Sequence, residues 1–306
     1  MIVKIRQGLT IRSVFCAILL SVPWGLAADE ELSVKSVNYP LHYIAERLAT
    51  DSFSVDYIID AGIDPAFWEP SDEALNAFQQ ADVILLNGAG YAKWMKTVSL
   101  PRSKMVDTSK PFAASYLESH GDTHQHGEGA THAHGGTAFT TWIDLKQVAM
   151  QAEAVATRFK ALRPLEAAQI DENLSRLQED LSALDAQLVE FGRRWGDKPL
   201  VASHPIYQYF ARAYGLRIEA LVWEPEMEIT SHDLADLKAL LGKHGANWMI
   251  WEDFPSDGNI EALAALGLKS VVFSPAANRP EQGDWLDVMK QNVTRLNALF
   301  ETDSAR

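Results

Sequence analysis

One apolar seam constrains this fold more than any other feature of the sequence. Between residues 165 and 195, Ile170, Leu174, Leu177, Leu181, Leu184, Leu188, Phe191 and Trp195 recur at alternating intervals of four and three. That alternation holds one stripe on one side of an α-helix for over three heptads. At about 1.5 Å per residue such a helix reaches roughly 45 Å. The stripe needs cover along its whole length, either from a second copy in a coiled coil or from other parts of the same chain. Strand-and-helix patterns on both sides of it in sequence favour the latter, with the helix bridging two lobes.

Those flanking patterns alternate short β-rich runs with amphipathic runs, the mark of an α/β fold with mainly parallel strands. In the first half, strands are predicted at 32–37, 55–59, 83–86 and 104–107, with helices at 41–49, 71–80 and 91–95. Pro40 suits a first helical turn and Ser71 an N-cap. Asp144 caps a helix reaching about Leu162, where Arg163-Pro164 interrupts it ahead of the long seam. Strands are predicted again at 199–203, 218–222, 247–251 and 270–273, with helices at 206–214, 232–243, 259–266 and 284–300. Gly215 and Gly245 fit helix stops. The expected architecture is therefore two similar lobes with mainly parallel sheets, joined by one long rigid helix. The N-terminal lobe spans 28–144, the connecting helices 145–196 and the C-terminal lobe 197–306, in a chain expected to act as a monomer.

Residues 1–27 read as a secretory signal peptide. Lys4, Arg6 and Arg12 precede an apolar core at 14–23, and Gly25-Leu26-Ala27 supplies small residues for cleavage near Ala27. The core is too short for a stable membrane span. Its Cys16 is the chain's only cysteine, so the mature chain has neither disulfides nor a thiolate metal site. Cleavage removes three cations and no acid, moving the formal charge from −14 to −17. So acidic a chain argues against nucleic acid or an anionic membrane surface as a partner and is compatible with cations.

Residues 119–136 hold five of the nine histidines, His120, His124, His126, His132 and His134, among glycines and small polar residues. Neutral imidazole is a good ligand for zinc, copper and nickel. Asp122 and Glu128 lower the local cost of a dication. No apolar periodicity exists here, so the stretch is expected to be a flexible metal-collecting loop without regular structure.

In open α/β sheets, ligands bind beyond the carboxyl ends of the strands. Four side chains stand there. His204 follows the 199–203 strand and Glu224 the 218–222 strand, while Glu252 and Asp253 follow 247–251. The carboxylates are placed to polarise a histidine or bind a cation, and capping the next helix is equally compatible. His42, in the first helical turn after 32–37, is a further candidate ligand. His232 and His244 suit helix ends instead. The sequence has no His-Glu-x-x-His helix, no Gly-x-Ser-x-Gly elbow and no mature cysteine nucleophile, so the chain is not expected to be an enzyme.

Several stretches together resemble a known family. They are SVNYPLHYIAERLA, DPAFWEPSDEALNAFQQADVILLNGAGYAKWM and TTWIDL in the first half, then SHPIYQYFARAYGL, WEPEMEITSHDLADL, WMIWED and GDWLDVMKQNVTRLNALF. Their order and spacing are similar to those of the zinc- and manganese-type solute-binding proteins of metal ABC transporters. That resemblance implies a periplasmic protein that captures a divalent ion, zinc first, between its lobes and delivers it to an inner-membrane permease. A His-rich insertion ahead of the helix pair is typical of the zinc-handling members.

Within the resemblance, three expected ligand positions are changed. Ala66 follows Asp64-Pro65 where a histidine is expected, Thr140 stands two residues before Trp142 in place of another, and Ser274 precedes Pro275 in place of an acid. Only His204 matches. One imidazole does not hold zinc tightly, because zinc sites use three or four protein ligands. Two readings follow. Either His42 and a loop histidine join His204, or the chain is an accessory metal-buffering or docking protein with no ordinary interlobe site. In a third reading the cleft takes an organic ligand, lined by Trp68, Trp94, Trp142 and Trp251.

Overall fold

The computed structural model describes residues 30–119, 123–125, 131–133 and 136–304. The signal-peptide reading of 1–27 lies outside them. In chain order, the first lobe holds β1 (Leu32–Ser36), α1 (Tyr39–Leu48), β2 (Phe53–Asp56), α2 (Asp72–Gln80), β3 (Val83–Leu86) and β4 (Met105–Asp107). Four short strands follow: β5 (Glu118–Ser119), β6 (Thr123–Gln125), β7 (Thr131–Ala133) and β8 (Gly136–Thr137). Then come α3 (Leu145–Leu162) and α4 (Ala167–Trp195). The second lobe holds β9 (Pro199–Ala202), α5 (Gln208–Tyr214), β10 (Arg217–Ala220), α6 (Ser231–His244), β11 (Trp248–Trp251), α7 (Asp257–Ala265), β12 (Lys269–Val272) and α8 (Trp285–Ser304).

Local chemistry sets the boundaries. The Asn38 side chain accepts from the Leu41 amide, and Pro40 occupies the first turn of α1. Ser71 caps α2, Asp144 caps α3, and Thr230 with Asp233 forms a capping box on α6. Gly215 and Gly245 end α5 and α6 at φ 66° and 72°, a conformation that costs glycine nothing. Pro164 opens a single 3-10 turn, so α4 starts at Ala167, and Leu165 is left fully exposed outside the seam. The helix expected at 91–95 is only the 3-10 turn Lys93–Lys96, which has no side-chain cap.

Both large sheets are wholly parallel and repeat one topology, β2-β1-β3-β4 and β10-β9-β11-β12. In each, the chain runs outward from the first strand to the second and then crosses to the first strand's other side. That reversal opens a crevice at the strands' carboxyl ends.

The seam of α4 is consumed inside the chain. Ile170, Leu177, Leu181, Leu184, Leu188, Phe191 and Trp195 are buried, and Leu174 is partly buried against the same core. The helix, 29 residues long, packs on α1 and α3 of the first lobe and on α5 and α8 of the second. One continuous apolar core thus runs through both lobes. In the second lobe Val201, Met249, Trp251 and Val272 face the other way, into a smaller cluster with Leu237 of α6 and Leu263 of α7. Strand alternation sorts the two faces. Among the described residues, no helix is long and apolar enough to cross a membrane.

The stretch 119–136 differs from expectation. β5 pairs with β8, and β6 pairs with β7, both antiparallel, with His124 opposite His132. Lack of apolar periodicity excludes a buried element, but a two-stranded ribbon needs only backbone pairing, and the threonines at 123 and 131 favour extended backbone.

His42 belongs to the buried face of α1. Its ring lies 5.5 Å from that of Tyr39 and 5.4 Å from that of Tyr57, and its Nε2 is 3.3 Å from Glu46 Oε1. Burial, and then the nearby Arg279 guanidinium, lower its pKa to about 4. The unfolded chain takes up this proton from about pH 6.5 downward, while the folded chain resists until about pH 4. The neutral ring therefore contributes its full stability above pH 6.5 and loses it as pH falls through that window, by up to roughly 3 kcal/mol. We expect His42→Gln to flatten the acid limb of thermal stability between pH 6.5 and 4. Parallel curves for the two proteins would contradict this.

A second expectation concerns Gly192 on α4, where an added Cβ would lie 2.0 Å from the Tyr214 carbonyl oxygen. Gly192→Ala must push α5 off the bridging helix, at a cost of about 1–3 kcal/mol. Urea denaturation measures it, and an unchanged midpoint would count against this packing.

Candidate metal centre

The two lobes face each other across a cleft of about 1530 Å³. That volume far exceeds an ion, so coordination must come from converging side chains rather than from enclosure. The second lobe supplies them. Ser203-His204-Pro205 follows β9, and the Ser203 amide donates to the Ile250 carbonyl at 2.8 Å, carrying the β9–β11 pairing up to the turn. His204 is 6% exposed. Beyond β10, the Trp223 amide donates to the Ser203 carbonyl at 2.7 Å, which brings Glu224 beside His204. Glu252 directly follows β11.

The His204 Nδ1 lies 3.5 Å from Glu224 Oε1 and 3.8 Å from Glu252 Oε1. One donor atom from each of the three falls within 4.8 Å of the others, the one such cluster among the described residues. β9 and β11 flank the point where the strand order reverses, so the cluster sits where the topology opens a crevice. Its charge is unbalanced. The Glu252 carboxyl is held well above the usual carboxylate range, first by burial, then by the charge of Glu224 and a hydrogen bond shared with it, and further by Asp64 and Glu226. Every one of those neighbouring charges is negative.

Asp64, on the facing lobe, lines the same cleft. Asp64 is exposed to solvent in the cleft. Its pKa is raised by burial and by Glu224, while a hydrogen bond from the Ala66 amide (2.8 Å to Oδ1) and the Lys93 ammonium act the other way. Asn278, on a second-lobe loop, donates from Nδ2 to the carbonyls of Asp60 and Ile63, both at 2.7 Å, and so holds the segment that carries Asp64.

The three changed positions serve local structure. Ala66 is buried at 1% exposure. Thr140 donates its hydroxyl to the Ile206 carbonyl of the facing lobe, and Ser274 accepts from the Ala276 amide at 3.3 Å. Asn87 fixes the wall beside Thr140, donating to the Phe139 carbonyl at 2.8 Å and accepting from Thr141 at 3.1 Å.

Of the residues singled out from sequence, the structure brings together His204, Glu224 and Glu252. Asp253 lies outside that cluster and accepts from the Phe254 amide at 2.7 Å. His42 is not among the residues lining the cleft, since α1 turns it into the Tyr39–Tyr57 packing. His124 and His132 are register partners in β6 and β7, and His120, His126 and His134 lie outside the described residues. Trp142 lines the cleft, while Trp68 and Trp94 pack with Phe78, and Trp251 packs near Trp223. Sequence reasoning missed Asp64 as a site residue. The signal was available: Asp64-Pro65 in the loop after β2 stands where Glu224-Pro225 stands after β10.

Comparisons with known proteins agree with this architecture. The profile of a family described as zinc-uptake complex component A, periplasmic (ZnuA), matches residues 34–299. The zinc-binding lipoprotein AdcA of Streptococcus pneumoniae is 26% identical over 282 residues, 88% of this chain. The chain spans only 56% of the length of that relative. The metal ABC transporter substrate-binding lipoprotein ScbA of Streptococcus cristatus is 26% identical, over 92% of this chain and 96% of that protein. In fold, the crystal structure of the Zn(II)-bound ZnuA-like domain of Streptococcus pneumoniae AdcA aligns at a TM-score of 0.74 and 22% identity, covering 88% of this chain and 98% of that one. With the family profile spanning most of its length, the chain belongs to the ZnuA family of zinc-uptake components, which are solute-binding proteins and not enzymes.

Proposed function

We propose that this chain is the periplasmic metal-binding component of an ABC importer, capturing a divalent ion between its lobes and presenting it to an inner-membrane permease. Zinc is the proposed cargo, in keeping with the zinc-binding name of the AdcA relative, and an imidazole-containing site accepts other divalent transition metals as well. Export by the signal peptide, with cleavage near Ala27, belongs to the same reading.

One observation carries it. In a fold of metal solute-binding proteins, the described histidine–carboxylate cluster falls at the interlobe cleft, with donor atoms within 4.8 Å. The residues present fit a dication, because one imidazole stands beside two carboxyls with donor atoms within 4.8 Å, and both ligand types bind divalent transition metals. This favours capture in the cleft over the accessory reading, which needs a cleft without ligands. Since α4 packs on both lobes, wide hinge rotation is disfavoured, and entry and release depend on the loops at the cleft mouth.

The histidine stretch has a supporting role in this proposal. In this reading the five imidazoles collect metal and supply it to the tight site. Calorimetric titration of the full chain with zinc tests the central claim, with one tight site expected at a dissociation constant below about a micromolar. No binding at that level would sink the proposal. Replacing His120, His124, His126, His132 and His134 together by alanine should remove weaker additional sites and leave the tight one within about threefold, a change under 1 kcal/mol. Loss of the tight site in that variant would transfer the primary role to the loop.

A further inference from the structure

We infer that Glu224 and Glu252 replace the missing ligands and bind the ion together with His204, while Asp64 of the facing lobe closes the site as a fourth ligand. This rests on the metal-capture reading and says which atoms perform it.

Three observations lead there. First, the changed positions have no coordinating role to offer. Ala66 has no donor, and the Thr140 and Ser274 hydroxyls are engaged with backbone groups. Second, the two glutamates are positioned by the sheet. Glu252 follows β11, the neighbour of β9 on the far side of the strand reversal, and Glu224 follows β10, the neighbour on the other side. They therefore flank His204 from both directions, at 3.5 Å and 3.8 Å from its Nδ1. A small concerted shift of side chains of that length around a shared ion needs no change in the strands.

Third, the lobes repeat one topology, and the repeat relates Asp64 to Glu224. Each is an acid followed by proline in the loop after the second strand of its sheet, and both line the cleft. Asp64 Oδ1 is held by the Ala66 amide, which fixes the carboxylate plane and leaves Oδ2 for the ion. Asn278 ties the segment just before Asp64 to the second lobe, so the carboxylate can approach the ion by a change in its own loop and side chain without a domain rotation.

The donor set has a consequence for selectivity. One imidazole nitrogen with three carboxylates is harder than a site built from several imidazoles. Carboxylate oxygens suit manganese, whereas imidazole favours zinc, copper and nickel. The cleft should therefore take manganese as well as zinc, with the carboxylates supplying most of the manganese affinity.

The test compares the full chain with Glu224→Gln, Glu252→Gln and Asp64→Asn, each titrated separately with zinc and with manganese. Each glutamine substitution should weaken zinc at least roughly tenfold, as even outer-shell changes at metal sites do. It should weaken manganese more than zinc. Asp64→Asn should mainly speed release, seen when excess chelator is mixed with the loaded protein. These replacements are near-isosteric and remove charge from a crowded acidic group, so the metal-free variants should melt no lower than the parent. Should a glutamine variant fail to fold, Glu252→Asp and Glu224→Asp keep the charge while shortening its reach, and an intermediate loss is expected. Unchanged zinc affinity in all three carboxylate variants, with the parent binding one ion tightly, would overturn this ligand assignment and leave metal capture standing. Equal losses for zinc and manganese would overturn the selectivity argument. A parent that binds neither metal would overturn both proposals.

Discussion

Everything in this structure depends on how one helix buries its seam. The side chains from Ile170 to Trp195 are too many and too apolar for water, and the chain covers them with α1 and α3 at one end and α5 and α8 at the other. Burial of that stripe is among the larger favourable contributions to the fold, at about 25 cal/mol per Å² of apolar area. It also fixes the lobes on a common strut. Two sheets that repeat one strand order must then present their carboxyl ends across a cleft whose width is set by α4 and by direct ties. Trp142 donates to the Pro275 carbonyl at 2.8 Å, and the Tyr39 amide to the Ala277 carbonyl at 2.9 Å.

Within that frame the chemistry follows from strand order. The segments that follow β9's sheet neighbours carry Glu224 and Glu252, so a buried imidazole finds two carboxylates within 4 Å. Placing acids so close in a recessed site is costly unless a cation joins them. On the metal-capture proposal, affinity comes from a cation relieving the crowding of these acids, and release follows as the loops that carry Asp64 and Glu224 loosen.

Much of the fold was legible because its signals are local. Proline, serine and aspartate caps mark helix starts, and the 4-3 spacing marks α4 whatever lies around it. The site was legible in part. Strand ends pointed to His204, Glu224 and Glu252 separately, but their convergence depends on which strands are neighbours, and linear sequence does not encode that directly. Asp64 escaped notice because its kinship with Glu224 appears only once the two sheets are seen to repeat. His42 illustrates the opposite failure: its position after β1 suggested a cleft residue, yet helical phase turns it toward Tyr39 and Tyr57. The ribbon of β6 and β7 went unseen because its sequence carries no hydrophobic period and backbone pairing alone leaves none.

The most direct test of the account is the place of the ion. Anomalous diffraction at the zinc edge from crystals of the zinc-loaded chain locates the metal without reference to any assumed ligand. The account expects a peak in the interlobe cleft, about 2.0–2.1 Å from a His204 ring nitrogen, with carboxylate oxygens of Glu224 and Glu252 in its coordination sphere. A zinc peak held only by the histidines of 119–136, with none beside His204, would contradict it.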